Sequence, residues 1–205
     1  MPTREKRENC FLDIPSERYE DSFLEGAGEF LGEGRLDSTY AEFLSYDLRR
    51  LKRQFGAFVS DLRELGKSKG HRSGYRDCVF WLIDDGQYIG QTSIRAELDT
   101  VYLMTYGGHI GYSIRPSRRR MGYGEMILAL GLEKCPAMDL TQVLVTCDSD
   151  NFASKKIIER NGGRFESAMN MGADTLRAEG RKADQPVQKL RYWIDPTPES
   201  GRQTG

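Results

Sequence analysis

The most constraining feature of this 205-residue chain is a strand, a basic turn and a helix that run together between residues 109 and 132. Ile110, Tyr112 and Ile114 alternate with smaller or polar residues, and this two-residue period predicts a strand. Pro116 ends the strand and biases the residue before it toward an extended conformation. The glycines that follow predict that a helix begins with its first backbone N–H groups exposed.

The predicted turn has the chemistry of an anion site. The first N–H groups of a helix lack partners within the helix, and the helix dipole places partial positive charge there. Gly122 and Gly124 have no side chain to keep a ligand away from these groups, and Arg118, Arg119 and Arg120 add charge. The turn therefore predicts a phosphate site, with pyrophosphate as the expected group. The alternative is a solvated arginine-rich face.

Two common phosphate-binding motifs do not fit this turn. A Walker loop needs Gly-x-x-x-x-Gly-Lys-Ser/Thr, and a dinucleotide fingerprint needs a third glycine and an acidic residue about 20 positions later. Residues 119–124, Arg-Arg-Met-Gly-Tyr-Gly, instead resemble Gln/Arg-x-x-Gly-x-Gly/Ala. That pattern is motif A of the GNAT family of acyl-CoA-dependent N-acetyltransferases.

A second motif lies at residues 151–165, where Asn-Phe-Ala-Ser opens a predicted helix that ends in Gly-Gly-Arg-Phe. This segment resembles motif B of the same family, Asn-x-x-Ala/Ser followed by a helix and Gly-Gly-x-Phe. A buried strand predicted at residues 142–147 separates the two motifs, as in the family. The similarity extends over about residues 9–195, and its specific motifs lie within residues 109–165.

The remaining patterns predict a mixed α/β chain. The predicted elements are a strand at 9–14, a helix ending near Leu31, a longer helix capped by Ser38 or Thr39, a hairpin of residues 78–83 and 88–95, and last strands at 165–169 and 189–194. The resemblance implies the GNAT fold, a central mixed and mostly antiparallel sheet flanked by helices. We expect residues 1–8 to be a disordered N-terminus, 9–195 to be the N-acetyltransferase domain and 196–205 to be a flexible tail.

Composition excludes several other classes. The chain has 30 basic and 31 acidic residues, whereas a general nucleic-acid-binding protein carries a strong basic excess. A nucleic-acid contact through residues 115–120 is thus the least favoured alternative. No apolar run approaches the ~18 residues of a membrane span, and the charged start lacks a secretory signal. The four cysteines lack Cys-x-x-Cys spacing, so we expect free thiols, no metal and a cytoplasmic protein.

The resemblance implies acetyl-CoA as the cosubstrate. Its pantetheine arm would pair like an extra strand with the central strand, and its diphosphate would lie on the backbone amides of the turn. The implied coenzyme contacts are Tyr112, Ser113 and Ile114 on the strand, Arg119, Arg120, Met121, Gly122, Tyr123 and Gly124 in the turn, and Asn151, Ser154 and Lys155 in motif B. For Asn151 the alternative is a plain helix cap.

The resemblance also implies that an amine attacks the thioester directly in a ternary complex. An alkylammonium with a pKa near ~10.4 must first lose a proton, and the oxyanion that forms needs N–H donors, which the central strand could supply. Candidates for the base are Glu97, His109 and Asp148, each at a predicted strand edge. His109 has the most suitable intrinsic pKa, although a hydrogen-bonded structural histidine is the alternative. Cys147 is better explained as a buried thiol than as a nucleophile.

One position departs from the family pattern. Many relatives have a tyrosine seven residues after the motif B asparagine, where it protonates the leaving thiolate, and this chain has Ile158 there. Either another group supplies the proton or the thiolate leaves unassisted. The same departure favours a second hypothesis, a non-catalytic acyl-CoA sensor with the GNAT fold.

The acceptor is the least defined part of this hypothesis. The family implies a primary amine on a small molecule or peptide, walled partly by the first two helices, and it allows a homodimer. That region contains Glu25, Glu29, Glu33 and Asp37, which would suit a cationic acceptor. The alternative is an acidic helix face that serves solubility alone.

Overall fold

The computed structural model describes residues 9–67, 75–172 and 187–197. The predictions for residues 1–8 and for most of the C-terminal tail lie outside the described residues. Seven strands are present in the described part: β1 (Cys10–Asp13), β2 (Cys78–Asp84), β3 (Gln87–Ile94), β4 (Ile110–Ile114), β5 (Val143–Asp148), β6 (Arg164–Asn170) and β7 (Gln188–Ile194). The α-helices are α1 (Glu20–Gly32), α2 (Leu48–Arg53), α3 (Phe55–Glu64), α4 (Tyr123–Lys134) and α5 (Phe152–Arg160).

The strands form one sheet in the order β1-β2-β3-β4-β5-β7-β6. Neighbouring strands are antiparallel except for β4 and β5, which are parallel. The predicted mixed, mostly antiparallel sheet is therefore confirmed. Within the described segments, none of the helices has the length and apolar composition that crossing a bilayer requires.

Helices α1, α2 and α3 cover one face of the sheet around a cluster of aromatic side chains. Phe23 of α1 stacks on Trp81 of β2 with ring centroids 4.6 Å apart, and Tyr88 of β3 lies 4.9 Å from Phe23. Trp81 and Phe23 are fully buried. Each such side chain removes a large apolar area from water and stabilises the fold by roughly 1.5–3 kcal/mol.

Helices α4 and α5 cover the opposite face. Leu82, the neighbour of Trp81 in β2, packs there against Tyr123 and Ile127 of α4, because successive strand residues point to opposite faces. Ile158 of α5 is buried in the adjoining cluster on the same face. The central strand β4 therefore lies between two helical layers.

The helix predicted to begin at Ser38 or Thr39 is wrong over its first part. Residues 36–39 form a single 3-10 turn, and Tyr40 and Ser45 have positive φ angles of 65° and 66°, which no α-helix tolerates. Helix α2 begins only after Asp47, whose carboxylate accepts the backbone N–H of Arg50 at 2.6 Å. The apolar residues of this stretch pack on the core from an irregular segment and not from a helix. Tertiary contacts therefore override the local helical periodicity.

Gly124 allows α4 to pack closely on α5. An ideal Cβ on Gly124 would lie only 2.6 Å from Cδ1 of Ile157, far inside contact distance. A larger residue would require the terminal methyl group of Ile157 to move or the two helices to separate. The second glycine of the turn is therefore favoured by helix packing, whatever binds beside it.

We expect Gly124→Ala to lower the free energy of unfolding by about 1–3 kcal/mol, because the new methyl group overpacks the α4–α5 contact. Ile157→Val removes the Cδ1 atom in question. The double variant should therefore be no less stable than Ile157→Val alone, as measured by urea denaturation. Strictly additive losses would contradict this account.

Candidate active site

Strands β4 and β5 separate after a single point of pairing. They pair at one register position, Ile110 with Val145. Just before it, the N–H of His109 donates to the carbonyl of Leu144 at 2.8 Å, and Nδ1 of His109 accepts the N–H of Leu144 at 2.9 Å. The imidazole thus accepts the Leu144 N–H, a backbone donor that would otherwise pair with a backbone carbonyl in a continuous sheet. A gap opens between the two strands beyond this point.

Gly108 makes this junction possible. Its φ is +70°, and a Cβ there would lie 2.7 Å from the carbonyl oxygen of Leu144. A side chain at this position would both strain the backbone and collide with β5. The chain therefore needs glycine where it enters β4.

The backbone of Tyr112 and Ile114 faces the gap. The carbonyl of His109 accepts the N–H of Arg95, and the N–H of Arg115 donates to the carbonyl of Ile89, each at 2.9 Å, so these odd-numbered residues pair with β3. Alternate residues direct their backbone groups to opposite edges of a strand. The even-numbered residues thus present an open strand edge toward β5. The hydroxyl of Ser113, by contrast, donates to the backbone carbonyl of Ser38 at 2.9 Å, on the face of the sheet that α1 covers.

The turn after β4 has the backbone geometry expected of an anion site. Arg120 has φ 63° and Gly122 has φ 87°, and these left-handed residues curl the backbone before α4. Within the described residues, the N–H groups of Arg120, Gly122 and Gly124 make no hydrogen bond. A Cβ on Gly122 would meet nothing within 4 Å, so this part of the turn faces open space. Unpaired amides at a helix N-terminus favour a phosphate ligand.

Not all motif A side chains point toward this space. Tyr123 is buried, and its hydroxyl donates to Asp84 at 2.5 Å, so only its backbone belongs to the turn. Met121 is half exposed beside the turn. Arg118 and Arg120 have no carboxylate partner among the described residues.

The acidic residues of α1 bind the arginines of the turn. Glu33 holds the guanidinium of Arg119 through two bonds of 2.8 Å. Arg115 is buried, pairs with Glu25 at 2.8 Å and also hydrogen-bonds Glu29. The predicted use of these three carboxylates for a cationic acceptor therefore competes with ion pairs already formed. Their spacing of four residues places them on one face of α1.

Glu29 also secures the beginning of the turn. It accepts the backbone N–H of Ser117 at 2.9 Å and the Ser117 hydroxyl at 2.8 Å. Burial by itself would raise the pKa of Glu29, but the bonds from Arg115 and Ser117 outweigh it and hold the pKa below its ordinary value. The carboxylate is therefore ionised at neutral pH.

The motif B side chains lie on the other wall of the gap. Asn151 caps α5, and its side-chain oxygen accepts the N–H of Ser154 at 3.0 Å. The hydroxyls of Tyr112 and Ser154 are 2.8 Å apart, which links β4 to the first turn of α5. Lys155 lies 4.0 Å from Glu159, one helical turn later. The capping alternative for Asn151 is confirmed, and its coenzyme contact stays a prediction.

The three candidate bases have different surroundings. Glu97 is exposed and pairs with Arg76 at 3.2 Å in the loop after β3. Asp148 ends β5 and pairs with Lys189 at 2.5 Å. Asp148 lies on the part of β5 that has already separated from β4.

His109 has the geometry of a hydrogen-bonded structural residue. Burial and, second to it, the nearby Arg95 cation together lower its pKa to about 4. The imidazole is therefore neutral at pH 7, with Nδ1 occupied by the Leu144 N–H and the ring 6.1 Å from that of Trp193. A proton on Nδ1 would break the bond that joins β4 to β5.

A buried polar cluster beside the strand was not predicted from the sequence. Arg95 donates to Ser93 at 3.0 Å and to Asp77 at 3.3 Å, and the hydroxyl of Tyr40 donates to the same carboxylate. A Cβ on Gly111 would lie 3.7 Å from this guanidinium, at ordinary contact distance, so the cluster lies directly against β4. A signal was present, since Asp77 and Arg95 directly flank the paired strands β2 and β3.

Cys147 matches the expectation of a buried thiol. Burial and the adjacent Asp148 raise its pKa to about 11, so the sulfur is protonated at neutral pH. Among the described residues, no group of three or more His, Cys, Asp or Glu side chains could hold a metal ion.

The depressed pKa of His109 predicts a contribution to acid sensitivity. The unfolded state takes up a proton near pH 6.5 and the folded state only near pH 4, so stability present above pH 6.5 is lost as the pH falls through this window. Between pH 7 and pH 4 we expect the free energy of unfolding of wild type to fall by roughly 2–3 kcal/mol more than that of His109→Gln, as measured by urea denaturation. The glutamine oxygen can still accept the Leu144 N–H. Equal losses in the two proteins would refute the assignment.

Comparisons with known proteins give the family. Residues 40–164 match the model of the acetyltransferase (GNAT) domain. No curated protein sequence matches the chain.

Solved structures with similar folds include three acetyltransferases. The ribosomal alpha-N-protein acetyltransferase RimL, in complex with coenzyme A, is 18% identical with a TM-score of 0.59, covering 92% of this chain and 96% of that one. RimJ from Mycobacterium smegmatis, in complex with CoA-disulfide, is 20% identical with a TM-score of 0.56, covering 91% and 85%.

The microcin self-immunity acetyltransferase MccE, in complex with acetyl-CoA and AMP, is 10% identical with a TM-score of 0.59, covering 92% of this chain and 93% of that one. At these identities the likeness concerns the fold. Together with the match of its own sequence over residues 40–164, it shows that this chain belongs to the GNAT acetyltransferase family, whose general chemistry is acyl transfer.

Proposed function

We propose that this protein is an N-acetyltransferase that transfers the acetyl group of acetyl-CoA to a primary amine of a small molecule or peptide. The attack would be direct, in a ternary complex. The observation that carries this proposal is the unpaired edge of β4 at Tyr112, followed by the turn in which the amides of Arg120, Gly122 and Gly124 make no hydrogen bond among the described residues. The coenzyme in the RimL, RimJ and MccE structures supports the choice of acetyl-CoA.

The residues present fit such a cosubstrate. An extended pantetheine arm has amides that could pair with the backbone of Tyr112 and Ile114, the two residues that face the gap. Ser113 would contribute less, because its backbone is directed toward β3. The diphosphate would lie on the turn amides and between Arg118, Arg119 and Arg120. Asn151, Ser154 and Lys155 would border the arm from α5. When bound, the cosubstrate supplies an activated acetyl thioester.

Asp148 is the proposed acceptor of the amine proton, directly or through water. It lies three residues beyond Val145, where β5 has separated from β4, and its side chain is 16% exposed. His109 is less suited, because its Nδ1 already accepts the Leu144 N–H. Glu97 and Asp148 each have a cationic partner, Arg76 and Lys189, so position decides between them: Glu97 lies outside the sheet, beyond the end of β3, whereas Asp148 ends β5.

Tyr112 is proposed to serve the other end of the reaction. Its N–H faces the gap and could stabilise negative charge on an acyl oxygen. Burial raises the pKa of its hydroxyl, which therefore stays protonated and would stabilise a departing thiolate by a hydrogen bond, with the proton of the thiol coming from solvent. In this proposal the hydroxyls of Tyr112 and Ser154 serve as hydrogen-bond donors where Ile158 replaces the tyrosine of relatives.

The burial of Ile158 also favours a second function, an acyl-CoA sensor without turnover. The two functions share the coenzyme site and differ in product formation. Release of free thiol from acetyl-CoA with a broad panel of amines supports the enzyme. Tight binding without thiol release across that panel favours the sensor.

We expect saturating acetyl-CoA to raise the melting temperature, by several degrees at ligand concentrations about 100 times Kd. Gly122→Glu should abolish this shift, because its carboxylate would occupy the anion concavity and repel the diphosphate. Thermal denaturation with and without acetyl-CoA measures both effects.

Gly162→Glu is the matched control for backbone strain. Gly162 has φ +85°, close to the +87° of Gly122, and it too has nothing within 4 Å of its Cβ position. This variant should keep the full acetyl-CoA shift. If neither acetyl-CoA nor CoA changes the melting temperature of wild type at millimolar concentration, the proposed function is wrong.

With an amine from the active panel, Asp148→Asn should lower kcat by about 100-fold or more, the usual contribution of a general base. Asp150→Asn, two residues further along the chain, is the control and should retain activity. The acetyl-CoA shift in melting temperature should persist in both variants, which separates loss of chemistry from loss of folding. Wild-type kcat in Asp148→Asn would remove Asp148 from the mechanism.

A further inference from the structure

Three carboxylates along α1 and its C-terminal cap form a ladder beside the turn after β4. Glu25, Glu29 and Glu33 follow one another at four-residue spacing and contact Arg115 or Arg119. These contacts differ in burial. The Arg115 side chain is 2% exposed, whereas Glu33 and Arg119 are each 37% exposed. Arg115 and Glu29 thus form a largely buried ion pair, and Arg119 and Glu33 form one at the surface.

The outer pair uses the part of Arg119 that would hold a phosphate. Both terminal nitrogens of Arg119 bond to the two oxygens of Glu33, and Nε donates to the carbonyl of Ile114 at 3.1 Å. A guanidinium recognises carboxylate and phosphate through the same planar fork. With this fork on Glu33, Arg119 cannot offer a bidentate contact to a diphosphate.

We propose that Glu33 competes with the coenzyme diphosphate for Arg119 and thereby lowers the affinity of this protein for its coenzyme. The proposal rests on the proposed function, since it assumes a coenzyme A ligand at the turn. On binding, Arg119 exchanges the carboxylate of Glu33 for phosphate oxygens. No covalent bond changes in this exchange.

The exchange also affects the strand edge. The carbonyl of Ile114 faces the gap, and Nε of Arg119 occupies it. When the guanidinium turns to a phosphate, this carbonyl becomes available to an amide of the pantetheine arm. One side chain thus covers two points of the coenzyme path at the same time.

Glu33 is suited to this role and Glu29 is not. Glu29 also holds the backbone and hydroxyl of Ser117, so its loss would disturb the turn itself. Glu33 makes no contact with the turn other than Arg119 among the described residues. An exposed ion pair contributes little to stability, so Glu33 can be replaced without unfolding the protein.

A simpler electrostatic explanation makes a different prediction. If the charge of Glu33 only repels the diphosphate through space, removing it should help binding whether or not Arg119 is present. If Glu33 acts by occupying Arg119, the benefit should vanish when Arg119 is removed. A double-mutant cycle separates the two.

The experiment is isothermal titration of CoA into wild type, Glu33→Gln, Arg119→Gln and the double variant. We expect Glu33→Gln to tighten Kd about two- to fivefold, the range expected for releasing an exposed ion pair. Arg119→Gln should weaken binding, and adding Glu33→Gln to it should change nothing further. Glu133→Gln removes an exposed charge near the far end of α4 and should bind as wild type does.

Two outcomes overturn the proposal. One is an unchanged or weaker Kd in Glu33→Gln, and the other is the same tightening in the presence and absence of Arg119. Failure of the proposed function is a separate result, since wild type would then not bind CoA at all. Melting temperatures of the variants without ligand confirm that each one is folded.

Discussion

The site depends on one interruption in the hydrogen bonding of the sheet. The imidazole of His109 accepts the N–H of Leu144, and Gly108 lets the backbone pass closely by that residue. Beyond this junction β4 pairs with β5 only at Ile110 and Val145, and the later residues of β4 have no register partner in β5. Unsatisfied backbone groups in a central strand are costly, so the open edge of Tyr112 persists where water or an extended ligand can satisfy it.

The charges around the gap are balanced within the protein. An arginine-rich turn would repel itself and destabilise the start of α4 if it stood alone. The carboxylates of α1 offset this charge, and Glu29 also fixes the backbone at Ser117. The same arrangement leaves the outermost pair, Glu33 with Arg119, accessible to an incoming anion. Structural support and ligand affinity are therefore linked through one helix.

Much of the fold, including the strand, turn and helix that form the candidate site, could be predicted because these elements depend on local patterns. The alternation in β4 and the Asn cap of α5 are readable from neighbouring residues. The prediction of a helix from Ser38 was wrong over its first part. The apolar residues there have helical spacing, but the positive φ angles of Tyr40 and Ser45 make the segment irregular. The partners of the arginines and the cluster around Arg95 could not be predicted, since they join residues far apart in the chain.

The sequence by itself determined the family and predicted the class of ligand, because both depend on contiguous motifs whose backbone conformation follows from glycine, proline and hydrophobic period. Only the tertiary structure decided which groups remain available for chemistry. It assigned Gly124 to helix packing and Nδ1 of His109 to a backbone bond. It also engaged Arg119 with Glu33. Such contacts depend on distances between separate elements, and the residues next to one another in the sequence do not reveal those distances.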